Sequence, residues 1–267
     1  MIVDAQIHIW AADQPGRPWP CAGVDGRTAQ PQRALPLTAQ EALAEMDAAG
    51  VDRAILVPPS WEGDRNDLAL AAAAAHPDRF AVMGRVPNDR RSLAGWHDSP
   101  GMLGARVILG NEDVDHWLWA EAQAQGIPLM VAPARKLLLL ARVARDYPAL
   151  RLIVDHMGAR VHHTGAAAFA QIDDLIAMAA LPNVAVKATC LPDYSANGYP
   201  WDDVTPYLRR LFDAFGADRL FWGSDLSRLP CPYPALVCFF RDALPWLNGS
   251  ERNNVMGRGI IRWLDWQ

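Results

Sequence analysis

The sequence predicts an α/β protein in which a single domain, residues 1–267, folds as a (β/α)8 or TIM barrel. Eight short apolar segments have the character of strands, and a helical segment separates most of them from the next. Alternating β and α units indicate a parallel sheet, and eight repeats indicate that the sheet closes on itself. An open doubly wound sheet would carry a Gly-rich phosphate loop after an early strand, and the sequence has no such loop.

The predicted strands are apolar runs bounded by Gly, Pro or charged residues, which is typical of strands buried on both faces. They cover residues 2–9, 51–57, 80–86, 104–109, 128–131, 152–155, 184–188 and 220–222. In the first strand a period of two places successive side chains on opposite faces. We expect Val3, Ala5, Ile7 and Ile9 to face outward, and Asp4, Gln6, His8 and Trp10 to face the barrel interior.

The predicted helices are marked by their caps as well as by apolar periodicity. The first begins at a capping box formed by Thr38 and Glu41, and it ends before Gly50, which favours a left-handed cap. The others cover residues 64–76, 111–125, 135–146, 164–180 and 202–215, with two more after about Pro234. Residues 13–36 are rich in Pro and Gly without periodicity, so we expect a lid or binding loop that is the most mobile segment.

Composition excludes several classes of protein. The formal net charge is -5 and no basic run is present, which argues against a nucleic-acid partner. No apolar run reaches membrane-spanning length, and the first residues lack the pattern of a signal peptide. The 4 cysteines form no CxxC pair, which is typical of reduced thiols. We therefore expect a cytoplasmic protein without a membrane partner, and a homo-oligomer remains open.

Three strands end in a polar residue. His8 ends the first strand, His156 follows the sixth, and Asp225 follows the eighth. Because the carboxyl ends of barrel strands meet at one face, we expect these side chains to share a pocket. Two imidazoles and a carboxylate are a candidate set of ligands for a divalent metal. They also suit metal-free hydrolysis, with Asp225 as the general base and the histidines polarising a carbonyl group.

The segments around these residues resemble the signature segments of a known superfamily. They are Asp-Ala-Gln-Ile-His-Ile-Trp at 4–10, Asp-His-Met-Gly at 155–158 and Trp-Gly-Ser-Asp at 222–225. In this order they resemble the amidohydrolase superfamily, and within it the branch that contains 2-pyrone-4,6-dicarboxylate lactonase and sugar lactonases. The resemblance implies a (β/α)8 barrel and a hydrolase, but it does not define the substrate.

The sequence departs from this pattern at two metal-ligand positions. Metal-binding members carry His-x-His on the first strand, where this chain has Gln6 and His8, and the fifth strand ends without a ligand. Amide oxygens are weak ligands for Zn²⁺. The resemblance to lactonases that work without metal therefore implies no tightly bound ion. A single divalent ion such as Zn²⁺ on His8, His156 and Asp225 is the alternative.

Further residues near strand ends are candidates for substrate binding. Arg106 and Lys187 are predicted to bind a substrate carboxylate, because cations recognise such a group by charge and hydrogen bonds. Arg228 lies in the loop after the eighth strand, and Gln6 offers an amide donor. The aromatic side chains of Trp10 and Tyr199 are candidates for the pocket wall.

The sequence thus favours a hydrolase that opens a carboxylated lactone or related cyclic ester. The first alternative is a metal-dependent hydrolase or decarboxylase of the same superfamily, using Zn²⁺ or Mn²⁺. The second is a barrel that binds a small acid without catalysis, since function depends on the site and not on the fold.

Overall fold

Eight parallel strands in chain order form one sheet, confirming the predicted (β/α)8 barrel. The structure is a computed structural model and describes residues 1–20, 30–87, 89–109 and 116–267. The strands are β1 (Val3–Ile7), β2 (Arg53–Leu56), β3 (Phe80–Arg85), β4 (Met102–Ile108), β5 (Leu129–Ala132), β6 (Leu152–Val154), β7 (Val184–Thr189) and β8 (Leu220–Gly223). Strand β1 also lies against β8, which brings the two edges of the sheet together.

Helices surround the sheet and follow most of its strands. In the described parts of the chain they are α1 (Ala39–Ala49), α2 (Asp67–Ala75), α3 (His116–Ala124), α4 (Leu137–Asp146), α5 (Gly165–Ala168), α6 (Ile172–Ala177), α7 (Thr205–Phe215), α8 (Tyr233–Asp242), α9 (Gly249–Asn253) and α10 (Gly259–Leu264). The predicted start of α3 lies outside the described residues. None of these helices is both long enough and apolar enough to cross a membrane.

The predicted capping box at the start of α1 is confirmed. The backbone N–H of Glu41 donates to the Thr38 hydroxyl at 3.2 Å, and the N–H of Thr38 donates to the Glu41 carboxylate at 2.8 Å. Gly50 closes the helix in the left-handed conformation with φ 70°. The local sequence therefore defines both ends of this helix.

The prediction of one continuous helix over residues 164–180 is wrong. The segment forms α5 and α6, separated by non-helical residues, and ends in a 3₁₀ turn at Met178–Ala180. The break allows Phe169 to enter the core, where its ring stacks on Tyr207 with a centroid distance of 4.4 Å. Burial of this aromatic side chain outweighs the loss of a helical turn.

The prediction of uniform alternation along β1 is wrong at the start of the strand. Val3 faces the barrel interior, whereas the carboxylate of Asp4 accepts a hydrogen bond from the Tyr233 hydroxyl at 2.5 Å, at the start of the outer helix α8. The pairing with β2 shifts register between Asp4 and Ile7, as a β-bulge does. Beyond the shift Gln6 faces the interior, where it contacts a side chain of β7.

The C-terminal helix closes the barrel at the amino ends of its strands. Ile260, Leu264 and Trp266 pack with interior side chains of the strands, including Val3 and Phe221. All three are at most 6% exposed. The barrel therefore has an apolar floor, and its polar residues collect at the opposite end.

Both chain termini lie at this floor. The Met1 amino group is 3.8 Å from the Asp52 carboxylate, and the carbonyl oxygen of Gln267 accepts a hydrogen bond of 3.5 Å from Arg53. Asp52 and Arg53 are adjacent residues at the amino end of β2. The two ends of the chain are consequently neighbours.

The predicted lid, residues 13–36, is anchored on both sides of 21–29, which lie outside the described residues. Arg17 pairs with the buried carboxylate of Glu62 at 2.8 Å and with Asp67 at 2.6 Å. Arg33 donates a hydrogen bond to the carbonyl oxygen of Leu226, just after β8. The mobility of the segment stays a prediction.

Candidate active site

His8, His156 and Asp225 come together at the carboxyl ends of β1, β6 and β8. Nε2 of His8 lies 3.1 Å from Oδ1 of Asp225, and Nε2 of His156 lies 3.9 Å from Oδ2. The side chains are almost completely buried, with His8 5%, His156 7% and Asp225 1% exposed. The three side chains therefore form one buried cluster.

The backbone of two of these residues adopts an uncommon conformation. His156 has φ 52° and Asp225 has φ 53°, both in the left-handed region. Residues other than Gly rarely occupy this region, and those that do are often held there at functional sites. The N–H of Asp225 donates to the carbonyl oxygen of Gln6 at 3.0 Å, which helps to fix the turn after β8.

Hydrogen bonds on both sides of the ring orient His8. Its Nδ1 lies 2.5 Å from the carbonyl oxygen of Val57, so this nitrogen carries a proton. Its Nε2 lies 3.2 Å from the Gln6 amide nitrogen and 3.1 Å from Oδ1 of Asp225. The Gln6 oxygen accepts from the ammonium of Lys187 at 2.5 Å, which directs the Gln6 NH₂ group toward His8.

His156 is held as a neutral imidazole. Burial lowers its pKa to about 3, although the charges of Asp225 and Asp155 act in the opposite direction. Its Nδ1 lies 2.7 Å from the hydroxyl of Thr189. When that hydroxyl donates to Nδ1, the ring proton sits on Nε2, where it can be donated to an oxygen atom in the pocket.

Asp225 is an ionised carboxylate whose Oδ1 lies 3.1 Å from Nε2 of His8 and whose Oδ2 accepts no hydrogen bond from any described residue. Burial alone would raise its pKa, but attraction to His8, His156 and Arg228 lowers the pKa well below its usual range. A buried carboxylate with unused acceptor capacity is able to take a proton from water.

Arg228 contacts the same carboxylate. Its Nη1 lies 3.6 Å from Oδ2 of Asp225, and its Nη2 donates to the carboxylate of Asp193. The guanidinium also lies over the ring of Tyr194, 5.8 Å from the centroid. Arg228 is therefore brought to the site, where it balances the charge of Asp225.

Lys187, predicted to bind a substrate carboxylate, contacts groups of the chain itself, and its binding of a substrate stays a prediction. Its side chain is completely buried and forms an ion pair of 2.9 Å with Asp155 in addition to its bond to Gln6. Its ammonium group therefore pairs with a carboxylate and an amide of the chain. Arg106 contacts the other oxygen of Asp155 through Nε at 3.1 Å, so Asp155 is shared between two cations.

The two aromatic residues predicted to form the pocket wall differ in their exposure. Trp10 is 2% exposed and packs in the apolar core, with its ring edge-on to Trp61 at 5.3 Å. Trp61 in turn contacts the ring of His8 at 6.0 Å. Tyr199 is 60% exposed and packs against Trp201. The structure thus buries Trp10 and leaves Tyr199 on the surface.

Sequence reasoning missed Arg85, Thr189 and Trp61. Arg85 is the last residue of β3 and Thr189 the last of β7, the same position that identified the other candidates. A charged residue ending an apolar strand was therefore an available signal for Arg85. No local pattern distinguishes Thr189 or Trp61 from ordinary residues.

The arrangement of the site residues bears on the alternative of a bound divalent metal ion. In the described chain no group of three or more His, Cys, Asp or Glu side chains is arranged to hold one. Gln6 directs its amide hydrogens toward His8, since its oxygen is bound to Lys187. The positive charges of Lys187 and Arg228 further disfavour a cation at this position.

A model of the amidohydrolase family matches residues 3–236 of the chain. Over 270 residues the chain is 30% identical to L-fucono-1,5-lactonase of Burkholderia ambifaria, covering 94% of this chain and 87% of that protein. It is 26% identical over 197 residues to 4-sulfomuconolactone hydrolase of Hydrogenophaga intermedia, covering 70% and 64% of the two chains.

The fold is similar to that of solved structures with lower sequence identity. A probable 2-pyrone-4,6-dicarboxylic acid hydrolase from Acinetobacter baumannii, solved with citric acid bound, superposes with a TM-score of 0.78. The sequence identity is 17%, and the match covers 99% of each chain. This similarity concerns the barrel as a whole.

Proposed function

The chain belongs to the amidohydrolase family and is a hydrolase, and on that premise we propose that it opens a carboxylated lactone or related cyclic ester. The observation that carries the proposal is the ionised carboxylate of Asp225, which lies beside two imidazole rings and has one oxygen, Oδ2, that accepts no hydrogen bond from a described residue. The names of the two relatives, a lactonase and a muconolactone hydrolase, support this class of substrate.

In the proposed reaction Asp225 removes a proton from a water molecule, whose oxygen attacks the ester carbonyl carbon. The Nε2–H of His156 donates to the oxyanion that forms, which stabilises the negative charge where it develops. His8, fixed by Val57 and Gln6, keeps the Asp225 carboxylate in place. When the ring C–O bond breaks, the leaving alkoxide takes the proton from Asp225, and the product is a hydroxy acid.

A lactone suits this set of groups better than an amide does. The ring constrains the ester in a cis geometry, which makes the carbonyl more reactive than that of an open ester. Less electrophilic assistance is therefore needed, and hydrogen bonds from imidazole can supply it. The proposal accordingly includes no tightly bound metal, which is consistent with the orientation of Gln6 and the position of Lys187.

The first test is the variant Asp225→Asn, assayed on a panel of acidic and neutral lactones by acid release. Asn tolerates the left-handed backbone at this position, so the fold is expected to remain intact. Loss of the general base should reduce kcat by roughly 10²–10⁴-fold. The matched control Asp213→Asn changes an exposed ion pair on α7 and should retain the full rate.

Three results would contradict parts of the proposal. Full activity of Asp225→Asn on every lactone would place the base elsewhere. Loss of activity on treatment with a chelator, with recovery on addition of Zn²⁺ or Mn²⁺, would favour the metal-dependent hydrolase or decarboxylase. An acid or lactone that stabilises the protein against heat but is recovered unchanged would favour a binding protein.

A further inference from the structure

Arg85 is a buried cation whose hydrogen-bonding groups are not satisfied. It is the last residue of β3 and is 6% exposed. Its Nε and Nη1 atoms are buried and have no hydrogen-bond partner among the residues that the structure describes. Unpaired charged donors are costly in the interior of a protein, so such a group is suited to binding an anion.

The surroundings of Arg85 add positive charge. Arg106 is its cross-strand partner on β4, and Arg106 and Lys187 share the single carboxylate of Asp155. Within the described residues no carboxylate lies within ion-pair distance of Arg85 itself, although Asp64 acts on it electrostatically over a longer distance. Arg106, which lies beside Arg85, and Lys187 thus bring two further cations to this side of the barrel, where Asp155 pairs with both.

The position of Arg85 is fixed by the backbone. Its N–H donates to the Asn66 side chain at 2.7 Å, and its carbonyl oxygen accepts from the same side chain at 2.9 Å. Ala81 and Met83 of the same strand lie in the barrel interior, so the alternation of β3 directs Arg85 inward as well. Arg85 therefore faces the mouth of the barrel from the strand end, as the residues around Asp225 do.

Arg85 remains charged at neutral pH despite its burial. Burial, and then the charge of Arg106, lower its pKa to about 10, with Asp64 opposing them. Such a guanidinium gains most from a ligand that supplies full negative charge and several acceptor oxygens.

We propose that Arg85 and Arg106 form a subsite for an anionic group, a carboxylate or sulfonate, on the lactone substrate. The inference rests on the proposed function and specifies its substrate class, because the subsite selects acidic lactones over neutral ones. Arg85 contributes unpaired donors, and Arg106 contributes charge from the neighbouring strand.

The test compares kcat/KM for two lactones with the same ring, one bearing a carboxymethyl group and the other its uncharged carboxamide. Arg85→Gln should reduce kcat/KM for the acidic lactone roughly 10- to 100-fold, mainly through KM, with little change for the neutral one. Arg85→Lys keeps the charge and should recover part of the loss. The matched control is Arg142→Gln, since Arg142 lies on the exposed face of α4. Its kcat/KM for both lactones should equal that of the unmodified protein.

A second measurement does not depend on turnover. Calorimetric titration with citrate and with methanesulfonate should show binding that Arg85→Gln weakens, and the stronger of the two identifies the preferred anion. If no lactone is hydrolysed but citrate binding still requires Arg85, the proposed function fails and the subsite stands. If lactones are hydrolysed and Arg85→Gln changes neither charge preference nor anion binding, the subsite is overturned.

Arg85→Gln could also act by unfolding the protein, and thermal melts separate this effect. An unchanged melting temperature with a selective loss on the acidic lactone supports the subsite. Equal losses on both lactones, shared by Arg85→Lys, would instead mean that Arg85 only supports the structure.

Discussion

At the level of single residues, the charge state of Asp225 depends on its neighbours. Burial would favour the protonated acid, which cannot act as a base, whereas His8, His156 and Arg228 stabilise the ionised form. His156 is affected in the opposite way, because burial keeps it neutral. The pocket thus combines an ionised acceptor with a neutral donor, the protonation states that the proposed reaction needs.

The pH dependence of kcat/KM tests these protonation states. Since the pKa of Asp225 is lowered and that of His156 is about 3, neither group titrates near neutrality. We expect kcat/KM to be nearly constant between about pH 5 and pH 8. Arg228→Gln removes a cation beside Asp225, which raises the pKa of the carboxylate and should move the acidic limb to higher pH.

The control for this profile is Arg209→Gln, which alters an exposed residue on α7. Its profile should coincide with that of the unmodified protein. An acidic limb near pH 6.5 in the unmodified enzyme would be the value of an unperturbed His. That result would mean that a histidine, and not Asp225, carries the essential ionisation.

The three central residues, His8, His156 and Asp225, could be predicted from sequence because a short segment identifies each of them. A strand ending in a polar residue is visible in a short segment, and barrel topology brings such ends together. The contacts of Lys187 could not be predicted in this way, since Asp155 follows β6 and Gln6 lies on β1. Its partners are apparent only when the sheet has closed.

At the level of elements, the packing of β4 against β5 depends on one glycine. A Cβ atom at Gly104 would lie 2.3 Å from the carbonyl oxygen of Pro128 and 2.8 Å from the Met83 side chain. The backbone oxygen cannot move without displacing the start of β5. Strand β4 carries Arg106, so a shift of the strand would also move the proposed anion subsite.

Gly104→Ala should therefore lower the free energy of unfolding by about 3 kcal/mol, because overpacking outweighs the small entropic gain from Ala. Gly249→Ala is the matched control, since a Cβ atom there meets nothing within 4 Å. Denaturant unfolding of both variants measures the difference. Equal stability of the two would show that β4 and β5 can separate without cost.

Local patterns predicted the elements well and their irregularities poorly. The capping box of α1 follows from residues three positions apart, so the sequence contains it entirely. The break before α6 and the bulge in β1 depend on contacts of Phe169 with Tyr207 and of Asp4 with Tyr233. Such distant contacts override local propensity and cannot be read from a single segment.

At the level of the whole molecule, the two ends of the barrel have different functions. The carboxyl ends of the strands hold the charged site, and α10 closes the other end with apolar side chains. The number of strands could be predicted from the sequence, and eight strands led us to expect a closed sheet. The position of the last helix at the floor could not be predicted, because a short amphipathic helix could equally lie on the outer surface.

The floor is expected to contribute to stability and not to catalysis. Ile260→Ala removes a side chain that is 1% exposed and should cost about 3 kcal/mol of unfolding free energy. Ile261→Ala changes a half-buried neighbour and should cost much less. Both should keep kcat below their melting temperatures, whereas a lower kcat for Ile260→Ala alone would mean that the floor and the site are coupled.

Because the two chain termini are neighbours, the barrel can be rearranged without disturbing the site. Met1 and Gln267 are held by adjacent residues of β2, at the end remote from His8. A short peptide linking them would yield a circular permutant, and its new termini can be placed in a surface loop between outer helices. For the same reason, a tag or partner domain fused at either terminus would leave the substrate's approach unobstructed.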